Sequence, residues 1–257
     1  MKYLAATALS LALVGVAPAN AEDAQTDQTS PDVAAVSPAL AAYTQQDLEG
    51  EVWQRPDLSK RDRSIVTVAS LIARDQPDDM PAEFRRALDN GVTPSELSEI
   101  ITHLAFYTGW ANAMSAVEVA DKVFDARDVD ASQLPSANPE LTPIDEEAAE
   151  AHKQSLQETY GNVSQGVVNY TSALLFRELW RRPALEPRDR SLVTISALIS
   201  NSHTGALSFH LNRAMDNGLT KSEASEVLTH LAFYAGWPNV FASMPVAKEV
   251  FNTRAEQ

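Results

Sequence analysis

The chain carries the same unit twice, and this internal repeat is the feature that most constrains its fold. Three pairs of segments repeat at a constant spacing of 127 residues: Arg61-Asp62-Arg63-Ser64 with Arg188-Asp189-Arg190-Ser191, Asp89-Asn90-Gly91 with Asp216-Asn217-Gly218, and Thr102 to Tyr107 with Thr229 to Tyr234. The match needs no gap over residues 43–124 and 170–251. Two covalently joined copies are therefore expected to pack with a pseudo-twofold relation.

Each copy has the sequence pattern of helices joined by short turns, and strand signals are nearly absent. In the first copy we expect helices near 43–53, from about 59, over about 81–89 and over about 113–124. Capping boxes start one more helix in each copy, at Thr93-Pro94-Ser95-Glu96 and at Thr220-Lys221-Ser222-Glu223. The sequence thus predicts an all-α fold made of two tandem helical units.

The predicted organisation has five parts: a signal peptide at 1–21, a flexible leader at 22–38, the first repeat at 39–124, a linker with an acidic helix at 125–160, and the second repeat at 161–257. Lys2, the apolar run from Leu4 to Val16 and the small residues Ala19 and Ala21 have the order of a secretory signal. We therefore expect cleavage after Ala21 and a periplasmic or secreted protein. His152, in the acidic helix, is expected on the surface.

Charge and cysteine content narrow the possible functions. The formal net charge of −15 argues against a surface for nucleic acid or for an anionic membrane, since the basic footprint is missing. No later segment approaches the roughly 20 apolar residues that a transmembrane helix needs. The chain has no cysteine, which excludes thiol nucleophiles, disulfide redox chemistry and cysteine metal sites.

A line of polar residues marks the helix that follows the second capping box. Glu226, His230 and Tyr234 are spaced at i, i+4 and i+8, so they share one line of that helix, beside its apolar face. Two more histidines of the second copy, His203 and His210, are two helical turns apart and would share a face of a continuous helix. This concentration of imidazoles predicts that the second copy holds the working site.

Three runs of the second copy resemble the carboxymuconolactone decarboxylase family. They are R-D-R-S-L-V-T-I-S-A-L-I (Arg188 to Ile199), L-S-F-H-L-N-R-A-M-D-N-G (Leu207 to Gly218) and S-E-V-L-T-H-L-A-F-Y-A-G-W-P (Ser225 to Pro238). The resemblance implies an alkylhydroperoxidase-like helical fold, assembly into a ring of several units, and decarboxylation of a small lactone acid without a cofactor. The peroxidase branch of this superfamily uses two cysteines, which are absent here, so a thiol peroxidase is excluded.

The resemblance assigns site residues position by position. It implies catalytic roles for four side chains of the second copy: His210, Glu226, His230 and Tyr234. Either histidine is a candidate proton donor, Glu226 would orient one of them, and Tyr234 could donate to the lactone oxygen. Three further residues are candidates for substrate binding: Arg190, Arg213 and Trp237. Either arginine could hold a carboxylate, while Arg190 could instead pair with Glu226 inside the fold.

Two alternatives remain open from the sequence. His203, His210, Glu226 and His230 could together bind zinc or iron, because imidazole and carboxylate suit those metals. The protein could also be a non-catalytic binding or scaffold protein with a remnant pocket. If the second copy is the working one, His210, Glu226 and His230 should meet in one cavity, and His230→Ala should abolish turnover while His103→Ala leaves most of it.

Overall fold

A computed structural model of the protein describes residues 32–255, and this part of the chain consists of helices and connecting loops, with no strand. The predicted signal peptide and most of the predicted leader lie outside the described residues. The helices are α1 (Val33–Val36), α2 (Pro38–Tyr43), α3 (Lys60–Ala73), α4 (Met80–Asp89), α5 (Pro94–Thr108), α6 (Trp110–Asp125), α7 (Glu146–Tyr160), α8 (Gln165–Tyr170), α9 (Pro187–Ser200), α10 (Thr204–Asp216), α11 (Lys221–Tyr234) and α12 (Trp237–Ala255).

The repeat predicted from the sequence is present in the fold. Helices α2 to α6 of the first copy correspond in order to α8 to α12 of the second, while α7 has no counterpart in the described residues. The all-α fold with two tandem units is confirmed. In the first copy, α2 continues as the π-helical turn Thr44–Glu49 and is followed by the short 3₁₀ helix Val52–Gln54. The prediction of a single helix near 43–53 is therefore wrong. The π-helical turn and the 3₁₀ helix change the direction of the chain, and Trp53 is buried.

Local signals set the helix ends as the sequence predicts. Both capping boxes are formed, since the side chains of Thr93 and Thr220 accept from the backbone three residues on, and the paired glutamates return the bond. At the other end of α11, Gly236 has φ of +89°, a conformation that residues with a side chain rarely adopt. The chain changes direction at Gly236, and α12 begins at the next residue, Trp237.

The hydrophobic core is shared by the two copies. Helices α3 and α9 are buried along almost their whole length and pack against each other at the centre. Helix α5 of the first copy packs on α9 of the second, and α11 of the second copy packs on α3 of the first. Each copy therefore covers part of the core of the other, because a single unit has too few helices to enclose its own core.

Reciprocal ion pairs join the two copies at their centre and support the expected pseudo-twofold relation. Arg188 Nη2 lies 2.9 Å from Asp62 Oδ2, and Arg61 Nη2 lies 2.8 Å from Asp189 Oδ2. Both aspartates are buried, so neither is left as an uncompensated buried charge. Within residues 32–255, no helix is long and apolar enough to cross a membrane.

The inserted helix α7 lies on the second copy. The predicted acidic helix is present with Asp145 as its N-cap, and Arg177 Nη1 donates to Glu146 Oε2 at 2.6 Å. His152 on this helix is half-buried rather than exposed, which differs from the prediction. Its ring packs between Phe176 and Phe209, at centroid distances of 4.8 and 5.7 Å, because α7 lies against the second copy.

Candidate functional site

The polar line of α11 faces the first copy of the chain, not its own. Glu226 is buried and accepts a bifurcated hydrogen bond from Arg55 Nε, at 2.8 and 3.0 Å to its two oxygens, and one from Arg63 Nη2 at 2.9 Å. The Arg63 side chain is fully buried, so Glu226 supplies the counter-charge that this position requires.

His230 is fully buried next to this pair, and its hydrogen bonds fix its protonation state. Its Nδ1 lies 3.5 Å from Arg63 Nη1, and its Nε2 lies 2.8 Å from Thr67 Oγ1. Because an arginine only donates, Nδ1 must accept and the ring proton sits on Nε2. Burial, with the charge of Arg63 added, lowers the pKa of His230 to about 3. His230 is therefore a neutral group that positions Arg63, with no free proton to give.

The same arrangement is built a second time with the copies exchanged. Glu99 on α5 accepts from Arg182 Nε at 2.7 Å and from Arg190 Nη2 at 3.1 Å, while His103 bonds Arg190 and Thr194. The "α11 site" comprises Trp53, Arg55, Arg63, Thr67, Glu83, Arg86, Glu226, His230 and Tyr234. The "α5 site" comprises Trp180, Arg182, Arg190, Thr194, His210, Arg213, Glu99, His103 and Tyr107. Each site thus needs both copies.

A tyrosine and a tryptophan meet in each site. Trp53 Nε1 donates to the Tyr234 hydroxyl at 2.9 Å, and Trp180 Nε1 donates to the Tyr107 hydroxyl at 2.9 Å. Burial raises the pKa of both phenols, so both stay protonated. Since each hydroxyl already accepts from the indole, its own proton remains available to donate to a bound molecule.

The two sites differ where the first copy has Glu83 and the second has His210. His210 is only 7% exposed and lies edge-on to Tyr107 at 5.3 Å and stacked on Trp180 at 5.9 Å. Its Nδ1 is buried and has no hydrogen-bond partner in the described chain. Burial, with the charge of Arg213 added, lowers the pKa of His210 to about 4. His210 is a neutral imidazole with unused hydrogen-bonding capacity.

The paired arginines Arg86 and Arg213 each keep one buried nitrogen without a hydrogen-bond partner in the described chain, but they differ in their acidic neighbours. Arg86 lies over Trp53 and is neutralised by Glu49 at 2.9 Å and by Glu83 at 3.6 Å. Arg213 lies over Trp180, with its guanidinium carbon 4.3 Å from the ring centroid, and its buried Nε has no partner. No carboxylate within residues 32–255 forms an ion pair with Arg213.

A cavity of about 420 Å³ opens beside the α5 site. Arg213, Trp180, Phe176 and Phe209 form its inner wall, and residues of the linker and of α7 form its outer wall. His210 stacks on Trp180 and lies edge-on to Phe209 at 5.0 Å, directly behind this wall. The cavity therefore combines flat aromatic sides with one arginine that has no acidic partner.

The structure separates the catalytic residues that the sequence groups together. His210 lies in the α5 site, whereas Glu226, His230 and Tyr234 lie in the α11 site, so the expected single cavity with His210, Glu226 and His230 is not formed. The reason is an exchange of contacts between the copies: α11 packs on α3 of the first copy, and His210 on α10 contacts Tyr107 on α5.

The structure also shows where the other candidate residues lie, namely Arg190, Trp237 and His203. Arg190 pairs with Glu99 rather than with Glu226. Trp237 is 52% exposed at the start of α12, away from both sites, and His203 is exposed at the N-cap of α10 because the helix begins only at Thr204. The four proposed metal ligands therefore do not meet, and the described residues contain no cluster of three such side chains.

Several site residues escaped the reasoning from sequence. Trp53, Arg55, Trp180 and Arg182 belong to a repeated Trp-x-Arg-Pro motif, V-W-Q-R-P at 52–56 and L-W-R-R-P at 179–183. Its recurrence in both copies was the signal that could have identified it. Tyr107 could have been found as the repeat partner of Tyr234.

Comparison with known proteins agrees with this arrangement. The carboxymuconolactone decarboxylase family matches the chain twice, at residues 38–122 and 165–249, and neither match includes α7. The chain is 37% identical to 4-carboxymuconolactone decarboxylase of Acinetobacter baylyi over 102 residues, which is 40% of this chain and 76% of that protein. It is 34% identical to nitrosuccinic acid decarboxylase of Metarhizium robertsii over 76 residues, which is 30% of this chain and 53% of that protein.

The two family matches coincide with the two structural copies and together contain every member of both sites. The chain is therefore a member of the carboxymuconolactone decarboxylase family in which two family units are fused in tandem.

Proposed function

We propose that the protein is a decarboxylase that acts on a small cyclic or unsaturated carboxylic acid at the α5 site. The observation that carries this proposal is the state of Arg213, a cation that faces a cavity with aromatic walls and has no acidic partner in the described chain. A guanidinium with free donors suits a carboxylate, which it can bind through two parallel hydrogen bonds. The decarboxylase names of both relatives support the reaction type.

The reaction has three requirements, and the α5 site offers a group for each. Arg213 holds the carboxylate. As the bond to the carboxyl carbon breaks, its electron pair moves into an electron-accepting group of the substrate, such as a lactone carbonyl, and Tyr107 donates its hydroxyl proton as a hydrogen bond to the oxygen that becomes anionic. Of these groups only Arg213 lines the cavity in the empty site, so we propose that the Trp180 and Phe209 rings shift to let Tyr107 and His210 reach the substrate, and that His210 then delivers a proton to the substrate carbon. One carboxylate and one proton give carbon dioxide and the protonated product, with no redox change.

Proton delivery by His210 depends on the bound substrate. In the empty site His210 is neutral, since its pKa is lowered to about 4. A carboxylate bound at Arg213 neutralises the cation that contributes to this shift, and a negative charge nearby favours the imidazolium. We therefore propose that His210 takes up a proton as the acid binds, so that the proton donor forms only when substrate is present.

The α11 site is proposed not to share this function. Its arginine, Arg86, is already paired with Glu49 and Glu83, and burial raises the pKa of Glu83. An incoming carboxylate would have to displace one of these acids. The expected stoichiometry is therefore one bound carboxylate per chain.

Isothermal titration calorimetry with benzoate tests the binding site directly. We expect benzoate to bind with a stoichiometry of one, and Arg213→Gln to weaken it by about tenfold or more, because a charge-assisted hydrogen bond contributes about 1.5–3 kcal/mol. Arg86→Gln is the matched control, since it changes the equivalent arginine of the α11 site, and it should leave the affinity unchanged. Equal losses from both variants, or no binding to the native protein, would overturn the proposal.

A non-catalytic binding protein is the second candidate, and the neutral state of His210 in the empty site favours it. The two functions differ in one measurement, the release of carbon dioxide from 4-carboxymuconolactone. Benzoate binding at Arg213 without release of carbon dioxide from this or related lactone acids would favour a binding protein. Release that depends on His210 would favour the enzyme.

We also propose that the protein is exported. The order of charges and apolar residues at positions 1–21 supports this. Expression of the full chain in a Gram-negative host, followed by cell fractionation and N-terminal sequencing, should give a periplasmic protein that begins at Glu22. A cytoplasmic protein that retains Lys2 would contradict export.

A further inference from the structure

The outer wall of the α5-site cavity comes from a segment that belongs to neither family match. The linker residues Thr142 to Asp145 and helix α7 form this wall, between the matched segments 38–122 and 165–249. Three hydrogen bonds join Thr142 and Arg181: Thr142 N and Thr142 Oγ1 donate to Arg181 O at 2.9 and 3.1 Å, and Arg181 Nε donates to Thr142 O at 2.7 Å. Arg177 also holds Glu146. The cover is therefore a fixed part of the cavity and adds side chains that the repeated units lack.

Among the α7 residues that line the cavity, His152 has the side chain that can form hydrogen bonds with a ligand. It lines the cavity, lies edge-on to Phe176 and stacks on Phe209 with an angle of 17° between the rings. Its Nε2 is buried and has no hydrogen-bond partner among the described residues. A buried polar atom without a partner costs free energy, which a ligand atom at that position would recover. Burial, with the charge of Arg213 added, lowers the pKa of His152, so the ring is neutral and has one donor and one acceptor nitrogen.

The position of His152 relative to Arg213 limits the size of such a ligand. Both groups lie against the ring of Phe176, Arg213 at 5.5 Å and His152 at 4.8 Å from its centroid. Both side chains also line the same cavity. One small molecule in this cavity is therefore able to contact both groups, with its flat faces against the aromatic walls.

We propose that His152 is a specificity-determining residue that hydrogen-bonds a second polar oxygen of a ligand whose carboxylate lies at Arg213. This inference rests on the proposed function, because it requires the carboxylate at Arg213. It narrows the substrate class to cyclic carboxylates that carry a hydroxyl or carbonyl oxygen away from the carboxylate.

Calorimetric titration with benzoate, 3-hydroxybenzoate and 4-hydroxybenzoate tests the proposal. At least one hydroxybenzoate should bind the native protein about threefold to tenfold more tightly than benzoate, the usual range for one added hydrogen bond. His152→Phe keeps a ring against Phe176 and Phe209 but removes Nε2, so it should abolish this gain, measured as the ratio of the hydroxybenzoate affinity to the benzoate affinity of the same variant. His152→Gln, which restores a polar group, should recover part of the gain. Gln154→Ala, an exposed position on the same helix, is the control and should change nothing.

The outcomes separate this inference from the proposed function. If benzoate binds and needs Arg213, but no hydroxybenzoate binds more tightly or the gain persists in His152→Phe, the role of His152 is overturned and the carboxylate site at Arg213 stands. If benzoate does not bind, or binds equally well to Arg213→Gln, the proposed function fails and the role of His152 fails with it.

Discussion

At the scale of single residues, His103, His230, His210 and Arg213 divide into side chains whose polar atoms are all paired within the fold and side chains that keep an unpaired buried nitrogen. His103 and His230 use both ring nitrogens on an arginine and a threonine of the other copy, so they hold the site together. His210 and Arg213 keep buried polar atoms without partners in the described chain. Burial alone therefore does not mark a catalytic histidine, and the hydrogen-bond partners decide its role.

The first prediction concerns His210. His210→Asn should lower the rate of carbon dioxide release by about 10²-fold or more, the usual effect of losing a general acid. Asparagine keeps a polar side chain but does not titrate near neutral pH. Glu83→Gln, at the equivalent position of the first copy, is the control and should leave the rate within about twofold. A rise in KM with an unchanged kcat would show that His210 only binds the substrate.

A second residue-scale prediction concerns stability against pH. The folded-state pKa values of His210 and His230 are lowered to about 4 and about 3, whereas an unfolded histidine has a pKa of about 6.5. Below pH 6.5 the unfolded chain binds more protons, so the free energy of unfolding should fall as the pH drops towards 4, by up to about 1.4 kcal/mol per pH unit for each histidine. Urea unfolding of His210→Asn at several pH values should show a shallower fall, and an unchanged slope would contradict the lowered pKa.

At the scale of helices, the exchange between copies decides which side chains meet. Helices α5 and α11 each present Glu, His and Tyr at i, i+4 and i+8, and each presents them to the other copy. The α5 of the first copy therefore completes the site that contains His210, and α11 completes the site that contains Glu83.

This exchange reverses the mutational outcome expected from the sequence. His103 supports Tyr107, which it stacks on at 4.8 Å in the α5 site, whereas His230 supports Tyr234 at 4.8 Å in the α11 site. His103→Ala should lower carbon dioxide release by about tenfold or more, while His230→Ala leaves most of it. The two changes remove matched contacts, so their cost in stability is similar and cancels in the comparison. A greater loss from His230→Ala would place the reaction in the α11 site instead.

At the scale of the whole molecule, two equivalent apolar faces remain exposed. Trp110 on α6 is 61% exposed and its repeat partner Trp237 on α12 is 52% exposed, and further large apolar residues follow on each helix: Met114, Val117, Phe241 and Met244. Exposed apolar patches of this kind mark interaction surfaces. Two related faces on one chain are what a closed ring of chains requires.

We accordingly propose that the protein self-associates through α6 and α12. Light scattering coupled to gel filtration at micromolar concentration should give a mass of several chains, and Trp110→Lys combined with Trp237→Lys should reduce it. The control is Tyr43→Lys, at another exposed aromatic residue. Trp53 is buried and is therefore not used as a control. A native protein that elutes as one chain would contradict the proposal.

The features that the sequence predicted are those that depend on local chemistry or on the repeat itself. The capping boxes at Thr93 and Thr220 are set by neighbouring residues, so their prediction was confirmed. A repeat shows that two units are alike, but it does not show whether a polar helix face meets its own unit or the other one.

The errors follow from that ambiguity and from long-range contacts. Grouping His210 with Glu226 assumed contacts within one copy, and the side chains of the Trp-x-Arg-Pro motif that join the copies had not been identified. The position of His152 depends on Arg177, Arg181, Phe176 after α8 and Phe209 on α10, far along the chain, so an acidic helix pattern could only suggest an exposed residue.

A crystal structure of the protein with benzoate tests most directly whether the α5 site, built from both copies, is the ligand site. We expect one benzoate per chain, with its carboxylate on the Arg213 guanidinium and its ring between Trp180 and Phe209, beneath α7. Density for benzoate at Arg86 and Tyr234 instead, or equally in both sites, would contradict the assignment.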